Sequence, residues 1–492
     1  MTHIRGFTFL TLISVCITAF PDVLFGQPVI STPAPPHELR GVWIATAFGI
    51  DWPKSKDTTE QKAALEKIFQ DVKRKKCNAV FFQVRIRGDV MFESPYEPYT
   101  EVLTGTLGKS PGYDPTLYAL ALARKYGLEF HAWFNTMILK NKSAMKPSAG
   151  VRHLWETHPE WIDARAIALS AAPQPASSPV IEPFLNPAHP AVQRHLITLI
   201  SDFAARYDVD GIQLDDYLRY PDKNFPDSSE FIAHNPFRLS LADWRRETIN
   251  QFVAALSDTL AMIKPYLKFG VTPIGVYRRA DREPAMESVS DVYQDSRAWT
   301  ERKKTDYLAP QIYFHTGITT DAERTQRKFN PAFESLAKDW GEHKNGRHLY
   351  IGIGTYKPAV KAEWPQQVAI AREAGANGVI FYPYKSIADV EVLFDSLAVP
   401  PPMTWKSNQP PQPPVSFNLS RSAAQLTLVW RRPENARAFN LYKQSYSRSR
   451  PLVQNIAADS VTIDATTGDV FFLTTVDFFG TESRFSEAIT VN

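Results

Sequence analysis

Cysteine is almost absent from this chain: Cys16 and Cys77 are the only two among 492 residues. Two thiols exclude a disulfide framework and a thiolate-based metal site. One-sided charge is also lacking. The net charge is only +3, and the single basic run, Lys73 to Lys76, falls in a helical pattern and reads as a solvated face. Nucleic acid is therefore not an expected partner. There is no Gly-rich phosphate loop after the first strand-like segment, no Gly-X-Ser-X-Gly turn and no His/Cys cluster at metal spacing. Those absences argue against dinucleotide binding, serine-hydrolase chemistry, a metal or any other cofactor. Beyond residue 20 no apolar run approaches the ~20 residues a membrane span needs.

The N-terminus has its own pattern. Arg5 precedes an apolar run from Phe7 to Phe20, and small Gly26 stands before Gln27. Residues 1–26 read as a secretory signal peptide, since the run is shorter than a spanning helix. Bulky Val15 argues against acylation of Cys16, because a lipoprotein signal has a small residue there. Removal of the leader leaves Cys77 alone, which suits an exported protein of a bacterial periplasm or cell envelope.

What is present is ordinary for a folded protein, with 44% hydrophobic and 22% charged residues. Between residues 38 and 398, strand-like and helix-like stretches alternate. The strands are read at Leu39–Thr46, Ala79–Arg85, Glu129–Asn135, Gly211 onward, Lys268–Gly275, Tyr307–Tyr313, His348–Tyr356 and Gly378–Tyr384. Helical patterns fall between them, and Ile387–Leu397 is read as the last helix. Eight such units in ~360 residues predict an α/β fold, a (β/α)8 barrel of the triosephosphate isomerase type. Residues 399–415 are Pro-rich and read as a linker. Residues 416–492 carry short strands and predict a small all-β sandwich. Its closing run, FFLTTVDFFGTESRFS, resembles the last hairpin of a fibronectin type III domain.

In such a barrel, function sits where strands end. The fourth strand ends in Asp215-Asp216-Tyr217, and carboxylates at the end of a buried strand are costly unless used. Alternation along the strand sends Asp215 inward with Gln213 and Tyr217, and sends Asp216 aside. Asp215 is thus expected to act directly, with Asp216 in a supporting or acid role or holding Arg219 or Arg85. No acid ends strands five or seven, so Asp89 and Glu93 after strand two are candidates for a second carboxyl. Expected substrate contacts are Trp43, Gln83, Arg85, His131, Trp133, Asn135, Tyr217, Gln311, Tyr313 and Tyr382. Acids, amides and rings together suit sugars, because rings stack on pyranose faces and paired carboxyls cleave glycosidic bonds.

The same residues carry a family resemblance. LRGVWIAT (39–46), FQVR (82–85), SPYEPYTEVLTG (94–105), GYDP (112–115), HAWFN (131–135), NPA (186–188) and Asp210 to Tyr220 follow in order. Together they resemble glycosyl-hydrolase-like family ten, long a domain of unknown function. The resemblance implies a secreted barrel enzyme acting on glycans, similar to divisome-localised hydrolases of peptidoglycan strands stripped of their peptides. Gln213 stands where the family usually has His, and Arg87 where many members have a small residue. The final acid of the chitinase pattern Asp-Gly-x-Asp-x-Asp-x-Glu is replaced by Tyr217, which argues against substrate-assisted chitinase chemistry. The expected function is hydrolysis of peptidoglycan glycan strands or a related amino-sugar polymer. The alternative is a glycan-binding or envelope scaffold on a barrel without a competent acid pair. The C-terminal domain is then a spacer or a dock for an envelope protein.

Overall fold

A computed structural model describes residues 34–142, 145–170, 181–279, 285–317, 331–422, 425–447 and 449–492. The expected signal peptide lies outside the described residues. Eight parallel strands close into a barrel in sequence order. They are β1 (Leu39–Ile44), β2 (Ala79–Arg85), β3 (Glu129–Phe134), β4 (Gly211–Leu214), β5 (Lys268–Val271), β6 (Tyr307–Leu308), β7 (His348–Ile353) and β8 (Gly378–Phe381). Every residue in them is buried. Such strands need cover on both faces, which helices supply outside and large rings supply inside.

The outer helices include Thr58–Arg74, Pro115–Tyr126, Pro190–Arg206, Leu241–Ile263 and Trp364–Glu373. Asp57, Asp114 and Ser240 cap three of them, each accepting a hydrogen bond from a first-turn amide. Such a cap stabilises by about 1 kcal/mol. Inside the barrel, Trp43, Phe81, Trp133, Tyr307 and Tyr350 fill the space. They fit because glycines face them: a Cβ on Gly41 would lie 2.6 Å from the Phe81 ring, and one on Gly270 2.2 Å from the Tyr307 ring.

Three expected elements differ. β5 and β6 stop well short of Gly275 and Tyr313, because Pro273 and Pro310 cannot donate to the ladder. The helix expected at Ile387–Leu397 is absent, and only Tyr384–Ile387 is helical there. The carbonyls of Asp395 and Ser396 accept instead from Lys76 and Arg40 at the barrel base.

Beyond the barrel, β9 (Val415–Ser422), β10 (Gln425–Arg431) and β13 (Ser460–Ile463) form one antiparallel sheet. β11 (Ala436–Lys443), β12 (Val453–Ile456), β14 (Val470–Asp477) and β15 (Ile489–Thr490) form the other. Leu428, Trp430, Phe439, Leu441, Phe471 and Leu473 make one core between them. This sandwich sits at the strand-start end of the barrel. Arg437 pairs with Asp208 and Asp210 just before β4. Trp405 donates to Asp306 at 3.0 Å and stands edge-on to His348, with ring centroids 4.6 Å apart.

Candidate active site

The opposite end of the barrel holds a cavity of about 340 Å³. Asp215 and Asp216 both line it. Strand β4 stops at Leu214, and the chain turns there, with the Leu218 amide donating to the Asp215 carbonyl. Strand alternation no longer applies past that point, so neighbouring side chains can share one side. This corrects the expectation that Asp216 points away. Gln311 Nε2 holds Asp216 Oδ1 at 2.7 Å. Burial raises the Asp216 pKa, and the Arg219 charge and the Gln311 hydrogen bond oppose that rise. Asp215 is deeper, only 2% exposed. Burial and the adjacent Asp216 push its pKa well above the ordinary carboxylate range. Its Oδ1 accepts from the Tyr217 amide at 3.1 Å, while Oδ2 has no hydrogen-bond partner within the protein.

Other polar atoms around this floor also lack internal partners: Trp133 Nε1, Gln213 Nε2 and Thr272 Oγ1. Buried polar groups are rarely left so, and a cluster of them marks a place built to meet a polar ligand. Gln213 Oε1 accepts from Trp43 Nε1 at 2.7 Å, which fixes that indole in the floor. Gln83 accepts from the Thr46 and Ala47 amides and donates to Asn135 Oδ1 at 2.8 Å, bracing the loops after β1 and β3.

The walls are aromatic. Tyr313 and Tyr382 stack at 5.6 Å, and Tyr356 stands edge-on to both. Phe48 lies across the mouth, 72% exposed, with φ of 55°. A bulky residue in the left-handed region is strained by ~1–2 kcal/mol, and such strain gathers at functional sites. The Arg87 guanidinium lies 5.5 Å from the Phe48 ring and 5.9 Å from that of Tyr217. A second hollow, of about 340 Å³, shares Gln311, Tyr313 and Tyr356 with the first and continues toward Met286 and Lys357. Acids, amides and a run of rings in one elongated cleft match the needs of a saccharide chain.

Residues 38–367 match the family described as Glycosyl hydrolase-like 10. The chain belongs to that family. It is a glycoside hydrolase. Glycosyl hydrolase YngK of Bacillus subtilis (strain 168) is 28% identical over 97% of this chain and 98% of its own. Glycosyl hydrolase DigH of Escherichia coli (strain K12) is 30% identical over 67% of this chain and 76% of its own. Among solved structures, the PgaB (BpsB) glycoside hydrolase domain from Bordetella bronchiseptica matches with a TM-score of 0.50 and 13% identity, over 73% of this chain and 100% of that one. That last likeness is one of fold.

In this hydrolase the cavity gathers Trp43, Gln83, Trp133, Asn135, Asp215, Asp216, Tyr217, Gln311, Tyr313 and Tyr382 from the sequence expectations. Four others lie elsewhere. Pairing between β2 and β3 slips a register between Gln83 and Arg85, which turns Arg85 out of the barrel. There it forms a fully buried pair with Glu97 at 2.7 Å, and His195 approaches the same carboxylate at 3.1 Å. Asp89 is buried under the turn at Gly88 (φ 80°), accepting from the Arg87 amide and facing Lys140 at 3.2 Å. Glu93 is exposed on the following loop. His131 lies one layer below the cavity, stacked on Phe81 at 4.4 Å and bonded to Tyr307 at 3.0 Å. Burial lowers its pKa and keeps it neutral. Neither candidate for the second carboxyl therefore reaches the site.

Sequence reasoning did not single out Phe48, Thr272 and Tyr356, and it noted Arg87 at the mouth without giving it a role. Tyr356 ends the seventh strand as read, so a search for rings as well as acids there would have found it. Phe48 has no sequence signal, because its exposure depends on the local turn. Among the described residues, no cluster of three or more His, Cys, Asp or Glu side chains is placed to hold a metal ion.

Proposed function

We propose that this cleft hydrolyses a polymer of 2-acetamido sugars, with peptidoglycan strands stripped of their peptides as the substrate, and that the protein works in the cell envelope after export. One observation carries the reading. Among the described residues lining the cavity, the only carboxylates are Asp215 and Asp216, and they are consecutive in the chain. Acid and nucleophile on opposite faces of a sugar need two carboxyls about 5–9 Å apart across the scissile bond. Neighbouring residues at one strand end suit a different division, in which the substrate supplies its own nucleophile; this departs from the sequence expectation, because Asp216, which also lines the cavity, can serve as the acid that the chitinase pattern loses at Tyr217.

The steps then balance as follows. Asp216 gives its proton to the glycosidic oxygen as the C1–O bond breaks. The carbonyl oxygen of the same sugar's acetamido group bonds to C1 and closes an oxazolinium ring. Asp215 accepts a hydrogen bond from the acetamido N–H through its unpartnered oxygen and stabilises the positive charge. Asp216 then takes a proton from water, which opens the ring at C1 and restores the anomeric configuration. Burial raises the pKa of both carboxyls, and the Asp216 charge adds to the rise at Asp215, so each holds a proton more readily than an ordinary carboxyl. Binding of the acetamido N–H favours ionised Asp215 and leaves the proton on Asp216.

The test uses purified peptide-free glycan strands. Wild type should release reducing ends with retention, and Asp216→Asn should lose about 10²–10⁴-fold in kcat. De-N-acetylated strands should resist cleavage. Equal cutting of acetylated and de-N-acetylated strands would sink the substrate-assisted route. Binding without release by wild type would leave only a glycan-binding role.

A further inference from the structure

Arg87 is the only Lys, Arg or His among the described residues that line the main cavity. The mechanism above does not use it. Its backbone is held on three sides: its amide donates to Asp89 at 3.0 Å, and its carbonyl accepts from the Lys140 amide and from His153 Nε2, both at 3.0 Å. The following residue, Gly88, has no room for a Cβ, which would sit 2.6 Å from His153 Nε2. The side chain is thus launched from a fixed point toward the mouth. It passes between Phe48 and Tyr217, and these two rings face the guanidinium with their π-systems.

The guanidinium itself is weakly engaged. Among the described residues its one carboxylate contact is Glu182 at 3.5 Å, and that side chain is 47% exposed. A pair this long and this wet contributes little, roughly 0–1 kcal/mol. An arginine uses a planar fork that matches a carboxylate in two parallel hydrogen bonds. Other buried arginines of this barrel have such partners: Arg85 has Glu97, and Arg245 has Asp227. The Arg87 fork is set at the mouth with its recognition capacity mostly unspent.

We infer that Arg87 is a specificity-determining residue that binds a carboxylate carried by the sugar chain, so the cleft selects an acidic amino-sugar polymer over neutral or cationic ones. This deepens the proposed function and rests on it. In a peptide-free peptidoglycan strand the matching group is the free lactyl carboxylate on every second sugar. A peptide attached there turns that carboxylate into an amide and removes the charge. Arg87 therefore gives a physical reason for preferring strands whose peptides are gone. Glu182 is the internal competitor that the substrate's carboxylate displaces.

Two readouts separate this inference from the hydrolysis reading. The substrates are peptide-free glycan fragments with free carboxylates and the same fragments with those carboxylates amidated. Calorimetric affinity and reducing-end release are measured for wild type, Arg87→Gln, Arg87→Lys and Glu182→Gln. Wild type should prefer the acidic form by about tenfold, the scale of a charge-assisted pair. In Arg87→Gln that preference should fall to about one, mainly through KM. Arg87→Lys should recover part of it, and Glu182→Gln should increase it. An acid-to-amide preference that is the same in wild type and Arg87→Gln overturns the inference. So does an equal loss on both substrates, which would mean that Arg87 only braces the mouth. Charge-selective binding without release overturns hydrolysis and leaves Arg87 assigned, whereas release without charge selection does the reverse. If neither substrate binds or is cut, both proposals fall.

Discussion

Asp215 bears on stability as well as on the proposed chemistry. Its pKa is raised in the folded state by burial and by Asp216, so between about pH 4 and that raised value the folded chain holds more protons than the unfolded one. Stability from this group is complete below the unfolded pKa and is lost as pH rises through the folded one. At neutral pH the ionised carboxylate therefore costs the fold stability. Asp215→Asn should be more stable than wild type at pH 7 by about 1 kcal/mol, and the gain should vanish near pH 4. Thermal melts across that range measure it. A variant less stable than wild type at pH 7 would mean that the carboxylate has a structural role. The same residue shows how far a sequence can be read: the pair at 215–216 is visible in the one-dimensional pattern, but its direction is not. Alternation holds only while the ladder lasts, and β4 ends one residue before the first aspartate.

At the level of elements, a fully buried ion pair anchors the loop after β2. Arg85 leaves the barrel at the register slip, meets Glu97, and donates to the Asn135 and Thr136 carbonyls after β3. Burial alone would raise the Glu97 pKa, but Arg85 and His195 overcome it and hold it at about 2. Its contribution is complete above the unfolded value of about 4.3 and is lost as pH falls toward 2. Glu97→Gln leaves Arg85 buried without a counter-charge and should cost about 3–5 kcal/mol at pH 7. Denaturant melts should find the gap to wild type closing as the pH falls toward 2. A cost below 1 kcal/mol at pH 7 would show that the loop relaxes and solvates the arginine. All eight strands were legible from their apolar runs, whereas the slip in β2 was not. One extra residue in one strand changes no composition, yet it moved Arg85 from the expected cavity to a strut. It also left Asp89 beneath the loop, where burial opposes ionisation but Lys140 and His153 hold the pKa below the ordinary value.

On the scale of the whole molecule, the linker is part of the barrel's base. Trp405 and Lys406 both bind Asp306, and Arg437 of the sandwich meets Asp208 and Asp210. The Pro-rich composition of residues 399–415 predicted a spacer, and the ring that docks it was not singled out. One Trp in such a stretch has no periodicity to show which surface it will meet. Trp405→Ala combined with Arg437→Ala should split thermal unfolding into two calorimetric transitions, with the sandwich melting apart from the barrel. A single shifted transition would mean that the remaining contacts still couple the two bodies. Glycan cleavage should persist in that variant, because its altered side chains lie at the end remote from Asp215.

That placement sets the orientation in which the enzyme can work. The sandwich stands under the barrel like a foot beneath a cup, and the aspartates look out of the rim. A partner gripping the sandwich would present the rim outward, away from its own surface and free to meet a strand passing overhead. A contact made through the sandwich would thus leave the cleft clear at the opposite pole of the same body.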